Sequence, residues 1–228
     1  MRKTHPALLG HRGSPRQARE NTLESFRLAL EAGLDGLELD LHRTRDGVVA
    51  IYHDFDLDGV PINQTDWAEL KRVAPWMPRL EEVLELNEQF PRTRLNLEVK
   101  SEYEKPDGRE AVIAEVVGAW SHRERCWFSS FDPLSLIRLH KHGLEVPLAL
   151  LYHLPETLEL LPSLPVEGVH PHYSLLDAEK TAALKAGGLF VYTWTVNDLE
   201  TARKLLEWGV DGLIGDDPAL LQAARGQE

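Results

Sequence analysis

Eight short apolar runs, each leading into a stretch of helical periodicity, recur along the 228 residues with no break in composition between them. The runs centre near residues 9, 38, 97, 128, 149, 170, 193 and 214. Between them, apolar residues fall at three- and four-residue spacing, as Leu23, Phe26, Ala29 and Leu30 do. Helix ends are punctuated. Asp132-Pro133 and Asp217-Pro218 supply a cap followed by a proline at the first helical position, and Gly33, Gly143, Gly187-Gly188 and Gly209 supply stops. Strand and helix alternating eight times predict an α/β fold, a (β/α)8 TIM barrel. A doubly wound open sheet is the competing architecture, but no glycine-rich nucleotide turn follows the first strand. With no linker or low-complexity tract, the pattern predicts one domain over residues 1–228.

The second run carries more than a strand needs. From Gly36 to Thr44, Glu38 and Asp40 are two residues apart and share one face, while Leu37, Leu39 and Leu41 share the other. Asp46-Gly47 signals a hairpin, with Val48 to Tyr52 returning, so a short hairpin extension is expected after the second strand. A tight two-residue turn would pair Arg45 with Val48 and set His53 opposite Asp40, with Cβ atoms about 5 Å apart. The strand from Arg94 to Lys100 repeats the design, since Asn96, Glu98 and Lys100 share a face.

In such barrels the catalytic groups sit at the C-terminal ends of the strands. Here those ends read His11-Arg12, Glu38/Asp40, Glu98/Lys100, Ser129-Ser130-Phe131, His153, His170/His172, Trp194/Thr195 and Asp216. Glu38, Asp40 and Glu98 converging in one mouth require a compensating cation, and all-oxygen ligation suits one divalent cation, Mg²⁺ or Ca²⁺. Plain ion pairing with neighbouring Arg or Lys is the alternative for each acid taken singly. His11 and His53 are the candidate proton carriers, because imidazole titrates near neutrality. Arg12 and Lys100 beside a metal would cradle a phosphate or phosphodiester. Trp194, above Tyr192 on one face, supplies either a substrate wall or core packing. His170 and His172 either line the mouth or are structural, and His42 is placed beyond the rim.

Composition narrows the partners. Lys and Arg total 25 against 37 Asp and Glu, a formal charge of -12, and no basic run stands out, which excludes nucleic acid as the expected ligand. A single cysteine, Cys126, removes intramolecular disulfides and zinc–thiolate sites. No apolar run approaches the ~18–20 residues of a membrane helix. The apolar stretch Ala7-Leu-Leu-Gly is short for a signal peptide, so a cytoplasmic protein without stable membrane anchoring is expected.

With these residues placed, the chain resembles the glycerophosphodiester phosphodiesterase family. His11-Arg12-Gly13 is similar to its opening motif, and Glu20-Asn21-Thr22 to the short element after it. Glu38-Leu39-Asp40, Thr44-Arg45-Asp46-Gly47 and His53-Asp54 follow its central signature in order and spacing. Pro78-Arg79-Leu80-Glu81-Glu82-Val83-Leu84, Glu98-Val99-Lys100, Ser130-Phe131, Trp194-Thr195-Val196-Asn197 and Val210-Asp211-Gly212-Leu213-Ile214 carry the likeness to the end. The resemblance implies a metal-dependent barrel enzyme that hydrolyses small-molecule glycerophosphodiesters to sn-glycerol 3-phosphate and an alcohol. It implies Glu38, Asp40 and Glu98 as metal ligands, His11 and His53 as the acid–base pair, and Arg12 and Lys100 as phosphate contacts. Three departures stand out. Arg79 replaces a frequent threonine, Gly215-Asp216 replaces Thr-Asp, and the short Asp54–Thr65 connection leaves little beyond Asp58 to Pro61 as a cap. The competing readings are a metal-dependent sugar-phosphate isomerase or aldolase, and a catalytically silent phosphate-ligand binding barrel.

Overall fold

Alternation along the strands decides which side chains enter the barrel. In the computed structural model, which describes residues 5–101 and 106–226, eight parallel strands form the staves. They are β1 (Ala7–His11), β2 (Gly36–Arg43), β3 (Arg94–Val99), β4 (Cys126–Ser130), β5 (Leu148–Tyr152), β6 (Gly168–Pro171), β7 (Phe190–Thr193) and β8 (Gly212–Gly215). Each pairs with the next in sequence, and β1 pairs with both β2 and β8, so the sheet closes on itself as the TIM barrel expected from the sequence.

Leu37, Leu39 and Leu41 point outward and are fully buried in the main core, beneath the helices. Inside, Leu9, Trp127, Ala149, Tyr192 and Ile214 form a separate apolar plug. Two glycines make room for its large rings. A Cβ at Gly168 would lie 2.1 Å from the Phe190 ring, and one at Gly212 would lie 2.2 Å from Tyr192. The plug fills the barrel beneath the mouth, with His170 buried against its Trp127.

Helices α1 (Leu23–Glu31), α2 (Trp67–Val73), α3 (Leu80–Glu88), α4 (Arg109–Ala119), α5 (Pro133–Lys141), α6 (Ala178–Ala186), α7 (Leu199–Glu207) and α8 (Pro218–Arg225) surround the strands. The aspartates at 132, 177, 198 and 217 cap their helices by accepting backbone N–H bonds, which relieves the unpaired donors of the first turn. Between β5 and β6 the connection is a 3₁₀ segment, Pro155–Ser163. It contains Pro162, and its Leu158 and Leu161 are only partly buried against the main core, so packing holds the α pitch weakly.

The hairpin after β2 exists, but its turn has three residues. Thr44 pairs with Val48 through the Thr44 N–H (2.9 Å), and the Thr44 carbonyl accepts from Gly47 N–H (3.1 Å). Only Gly47 (φ 87°) takes a left-handed conformation there; a two-residue type I′ turn would require one at Asp46 as well. The register therefore shifts by one, and the Asp40 carbonyl accepts from the Tyr52 N–H (3.1 Å). The returning strand (Val49–Ile51) ends before His53, so the loop beyond, rather than the ladder, places that imidazole. A small ribbon, Asp56–Leu57 with Val60–Pro61, follows. Ala50, Leu57, Ile62, Leu70, Ala74 and Met77 give this extension its own apolar cluster outside the barrel. Among the described residues no helix is long and apolar enough to cross a membrane.

Candidate active site

The chain leaves β1 by a sharp turn in which Arg12 (φ 54°) and Gly13 (φ 93°) are left-handed. Arg12 N–H donates to the Glu38 carbonyl at 3.0 Å and to Glu38 Oε2 at 3.1 Å, locking this turn to β2. The next short motif fastens it further. Glu20 accepts from Arg12 Nη1 at 3.0 Å, the Asn21 amide donates to Asp40 Oδ2 at 2.8 Å, and Thr22 caps α1. Glu20-Asn21-Thr22 thus positions Arg12 and Asp40 from behind.

Adjacent strands bring the acids together. Asp40 is in register with Glu98, and Glu38 with Asn96. One carboxylate oxygen from each of Glu38, Asp40 and Glu98 lies within 4.8 Å of the others, with the residues only 3%, 1% and 8% exposed. Lys100 Nζ stands 2.9 Å from Glu98 Oε1 and 3.5 Å from Asp40 Oδ1, and Arg12 Nε is 3.3 Å from Asp40 Oδ2. Two cations face three acids, and they do not neutralise them evenly. Burial, then Asp40 and Glu98, pushes the Glu38 carboxyl well above its ordinary value. Burial also outweighs Lys100 at Glu98, whose carboxyl is raised. Burial would raise Asp40 too, yet Lys100, Arg12, His53 and the Asn21 amide hold it below the usual carboxylate range. Glu38 Oε1 is buried without a hydrogen-bond partner. An orphaned buried oxygen in an all-oxygen acidic set is what a hard divalent cation would satisfy, so these residues fit such an ion.

Both candidate imidazoles reach the mouth. His11 Nδ1 is 2.7 Å from Asp216 Oδ1, and its Nε2 is 4.0 Å from Glu38 Oε2. Burial alone would raise the Asp216 carboxyl, but His11 and the Asn197 amide hold it below the ordinary range. His53 lines the same mouth, with Nδ1 2.7 Å from the exposed Asp54 carboxylate. Its carbonyl lies 3.4 Å from the Nε2 of His42, a buried ring that burial lowers to about 4. His42 therefore sits under the hairpin rather than beyond the rim.

Trp194, Phe131, Leu151 and Ile214 form the apolar side of the mouth, facing His11, Arg12, Glu38, His53, Glu98 and Lys100. Trp194 stands edge-on to Phe131 at 5.4 Å between ring centres, and its Nε1–H donates to the His170 carbonyl (2.8 Å). His170 lies below, wholly buried, with Trp127 Nε1–H donating to its Nε2 at 3.1 Å; burial lowers it to about 3, and it is a neutral core residue. His172 packs against Trp194 at 5.2 Å and pairs with Ser174. Among the supporting residues, Asn96 shares a face with Glu98 and Lys100 by its spacing and Asp216 stands at a strand end, whereas Asn21 and Asn197 carry no spacing signal of their own. Asp216 meets His11 because closure makes β8 the neighbour of β1, a pairing that becomes readable only once the barrel is assumed.

Fold and mouth together define a barrel enzyme whose polar site is built at the C-terminal strand ends. The chain belongs to the glycerophosphoryl diester phosphodiesterase family, whose sequence model matches residues 11–220, from His11 into the last helix. It is a glycerophosphodiester phosphodiesterase by that membership. A glycerophosphodiester phosphodiesterase of Bacillus altitudinis is 32% identical over 92% of this chain and 94% of its own length. One from Caldanaerobacter subterraneus is 29% identical over 94% and 95%. Among solved structures, an Oleispira antarctica phosphodiesterase in complex with the product sn-glycerol-3-phosphate superposes with a TM-score of 0.86. It is 30% identical, and the match covers 98% of each chain.

Proposed function

We propose that this chain, acting as a single domain, hydrolyses a soluble glycerophosphodiester to sn-glycerol 3-phosphate and an alcohol. The observation that carries the reading is the convergence of Glu38, Asp40 and Glu98 within 4.8 Å beside Arg12 and Lys100, with Glu38 Oε1 unpartnered. The three carboxylates would hold one divalent cation, Mg²⁺ or Ca²⁺. Such an ion, when bound, supplies Lewis-acid stabilisation of charge on the phosphoryl oxygens. Arg12 and Lys100 orient the phosphate by charge-assisted hydrogen bonds, which strengthen as negative charge accumulates on its oxygens. His11 and His53 form the acid–base pair. One imidazole takes the proton from the attacking hydroxyl, of water or of the glycerol C2, and the other returns a proton to the departing alkoxide. Trp194 closes the apolar side and excludes water from it. The product held by the Oleispira relative supports the same glycerol phosphate chemistry here.

The test is release of glycerol 3-phosphate from glycerophosphocholine and glycerophosphoethanolamine, with chelator, Mg²⁺, Ca²⁺ and Mn²⁺ run in parallel. Turnover abolished by chelator and restored by Mg²⁺ or Ca²⁺ is expected. Tight binding of both diesters without turnover under any cation would replace this reading with a silent binding barrel.

A further inference from the structure

An imidazole that moves a proton must present the correct ring nitrogen, and the fold contains a device that makes that choice for His11. Closure of the barrel pairs Gly10 with Gly215, which sets the next residues, His11 and Asp216, at the same height on neighbouring strands. The Asp216 carboxylate can only accept, so the His11 nitrogen 2.7 Å from its Oδ1 is the one that carries hydrogen. The other carboxylate oxygen is also committed, because it accepts from the Asn197 side-chain Nδ2. The orientation of that amide is not arbitrary. Its Oδ1 accepts from the Asp216 backbone N–H at 3.0 Å, which leaves Nδ2 no direction but the carboxylate. Asn197 is itself held against the end of β8. The Val196 N–H donates to the Ile214 carbonyl at 2.9 Å, and the Val196 carbonyl fills the space where a Gly215 side chain would stand.

We propose that Asp216 and Asn197 are positioning residues that hold His11 as the Nδ1–H tautomer, so that Nε2 is the atom offered to the mouth. Neither residue lines the mouth itself. The inference rests on the proposed proton-transfer role of His11, and it predicts an unusual pattern of loss and rescue. In Asp216→Asn, Asn197 Nδ2 still demands an acceptor, so the new amide turns its oxygen to Asn197 and its nitrogen to His11. That arrangement forces the proton onto Nε2. Exchanging the two residues, Asn197→Asp with Asp216→Asn, reverses the demand. The carboxylate now at position 197 accepts from the amide nitrogen at position 216, and the amide oxygen faces His11 again.

The experiment compares wild type, Asp216→Asn and the exchanged double variant by turnover and by ¹⁵N NMR of the histidine rings in the full-length chain without substrate. Spectra are taken at a pH where the rings are neutral, with the His11 signals assigned by their loss in His11→Gln. Asp216→Asn is expected to lower kcat by about 10³-fold or more with KM nearly unchanged, as a wrong tautomer does in a serine-protease triad. Its His11 ring is expected to carry hydrogen on Nε2. The double variant is expected to recover kcat to within about tenfold of wild type and to return the hydrogen to Nδ1. A His11 ring that keeps Nδ1–H in Asp216→Asn, or a double variant that fails to restore it, overturns the proposal. If Asp216→Asn does not fold, the double variant decides alone, since it carries the same substitution at position 216. A wild-type chain that releases no glycerol 3-phosphate would remove the functional reading, while the ring spectra would still decide the tautomer.

Discussion

Glu38 is the residue where stability and function pull apart. Its carboxyl is buried beside two other acids with one oxygen unpartnered, a cost the folded chain bears only if a cation or proton offsets it. Glu38→Gln removes the repulsion and keeps the shape. In chelator the variant is expected to melt higher than wild type, by about 2–4 °C for each kcal/mol gained in a chain of this size. Added Mg²⁺ or Ca²⁺ should reverse the order, raising the wild type more, and the variant should lose cation-dependent turnover; paired melting scans with and without cation, beside the turnover assay, read these effects. His170 makes a separate prediction. Burial lowers its folded value to about 3, while an unfolded histidine titrates near 6.5. Above about 6.5 neither state takes a proton and stability is intact; below it only the unfolded chain does, so stability falls until about 3 is reached. His170→Gln keeps an acceptor for Trp127 and cannot charge. It should lose less melting temperature than wild type between pH 7 and 4.5, and equal losses would show that the ring is not buried neutral.

At the scale of elements, the hairpin after β2 is the informative piece. Gly47 is left-handed, with open space where a side chain would point. Gly47→Ala therefore meets no neighbour but strains the backbone, and should cost about 1 kcal/mol, or about 2–4 °C of melting temperature. Its kcat/KM should stay within about twofold of wild type, because His53 lies beyond the paired strand; a steady-state assay beside the melting scan checks both. This hairpin also marks how far the sequence can be read. Period-two placement of Glu38 and Asp40 is legible, because a strand buried on both faces has no other use for two acids on one side. The register is not, because Asp46-Gly47 fits both a two-residue turn, with Asp46 left-handed, and a three-residue turn, with Gly47 alone left-handed. The caps at Asp132 and Asp217 are legible from Asp-Pro pairs, whereas Pro155–Ser163 does not resolve into α or 3₁₀, since its apolar residues are at most partly buried. Asn21 and Asn197 are legible only as members of short motifs and Asp216 only as a strand end, without the partners they meet. Their partners are fixed by loop geometry and barrel closure, not by spacing.

For the whole molecule, net charge and the charge of a metal-loaded mouth would oppose each other. The chain carries -12 overall, while a divalent cation held by Glu38, Asp40 and Glu98 beside Arg12 and Lys100 would leave the mouth net positive. An anionic diester is repelled at long range and attracted only close in. Screening acts on the long-range part first, with a Debye length of about 10 Å at 0.1 M salt. kcat/KM is therefore expected to rise modestly between low and physiological ionic strength, and a steep fall would show that the mouth dominates the field. Closure of the barrel has a further meaning in time. His11 and Asp216 are 205 positions apart and meet only where the first strand touches the last. On the proposed role of His11, a barrel whose last strand has not yet docked on the first lacks the carboxylate that anchors its imidazole, so full activity would report that the two ends of the barrel have found each other.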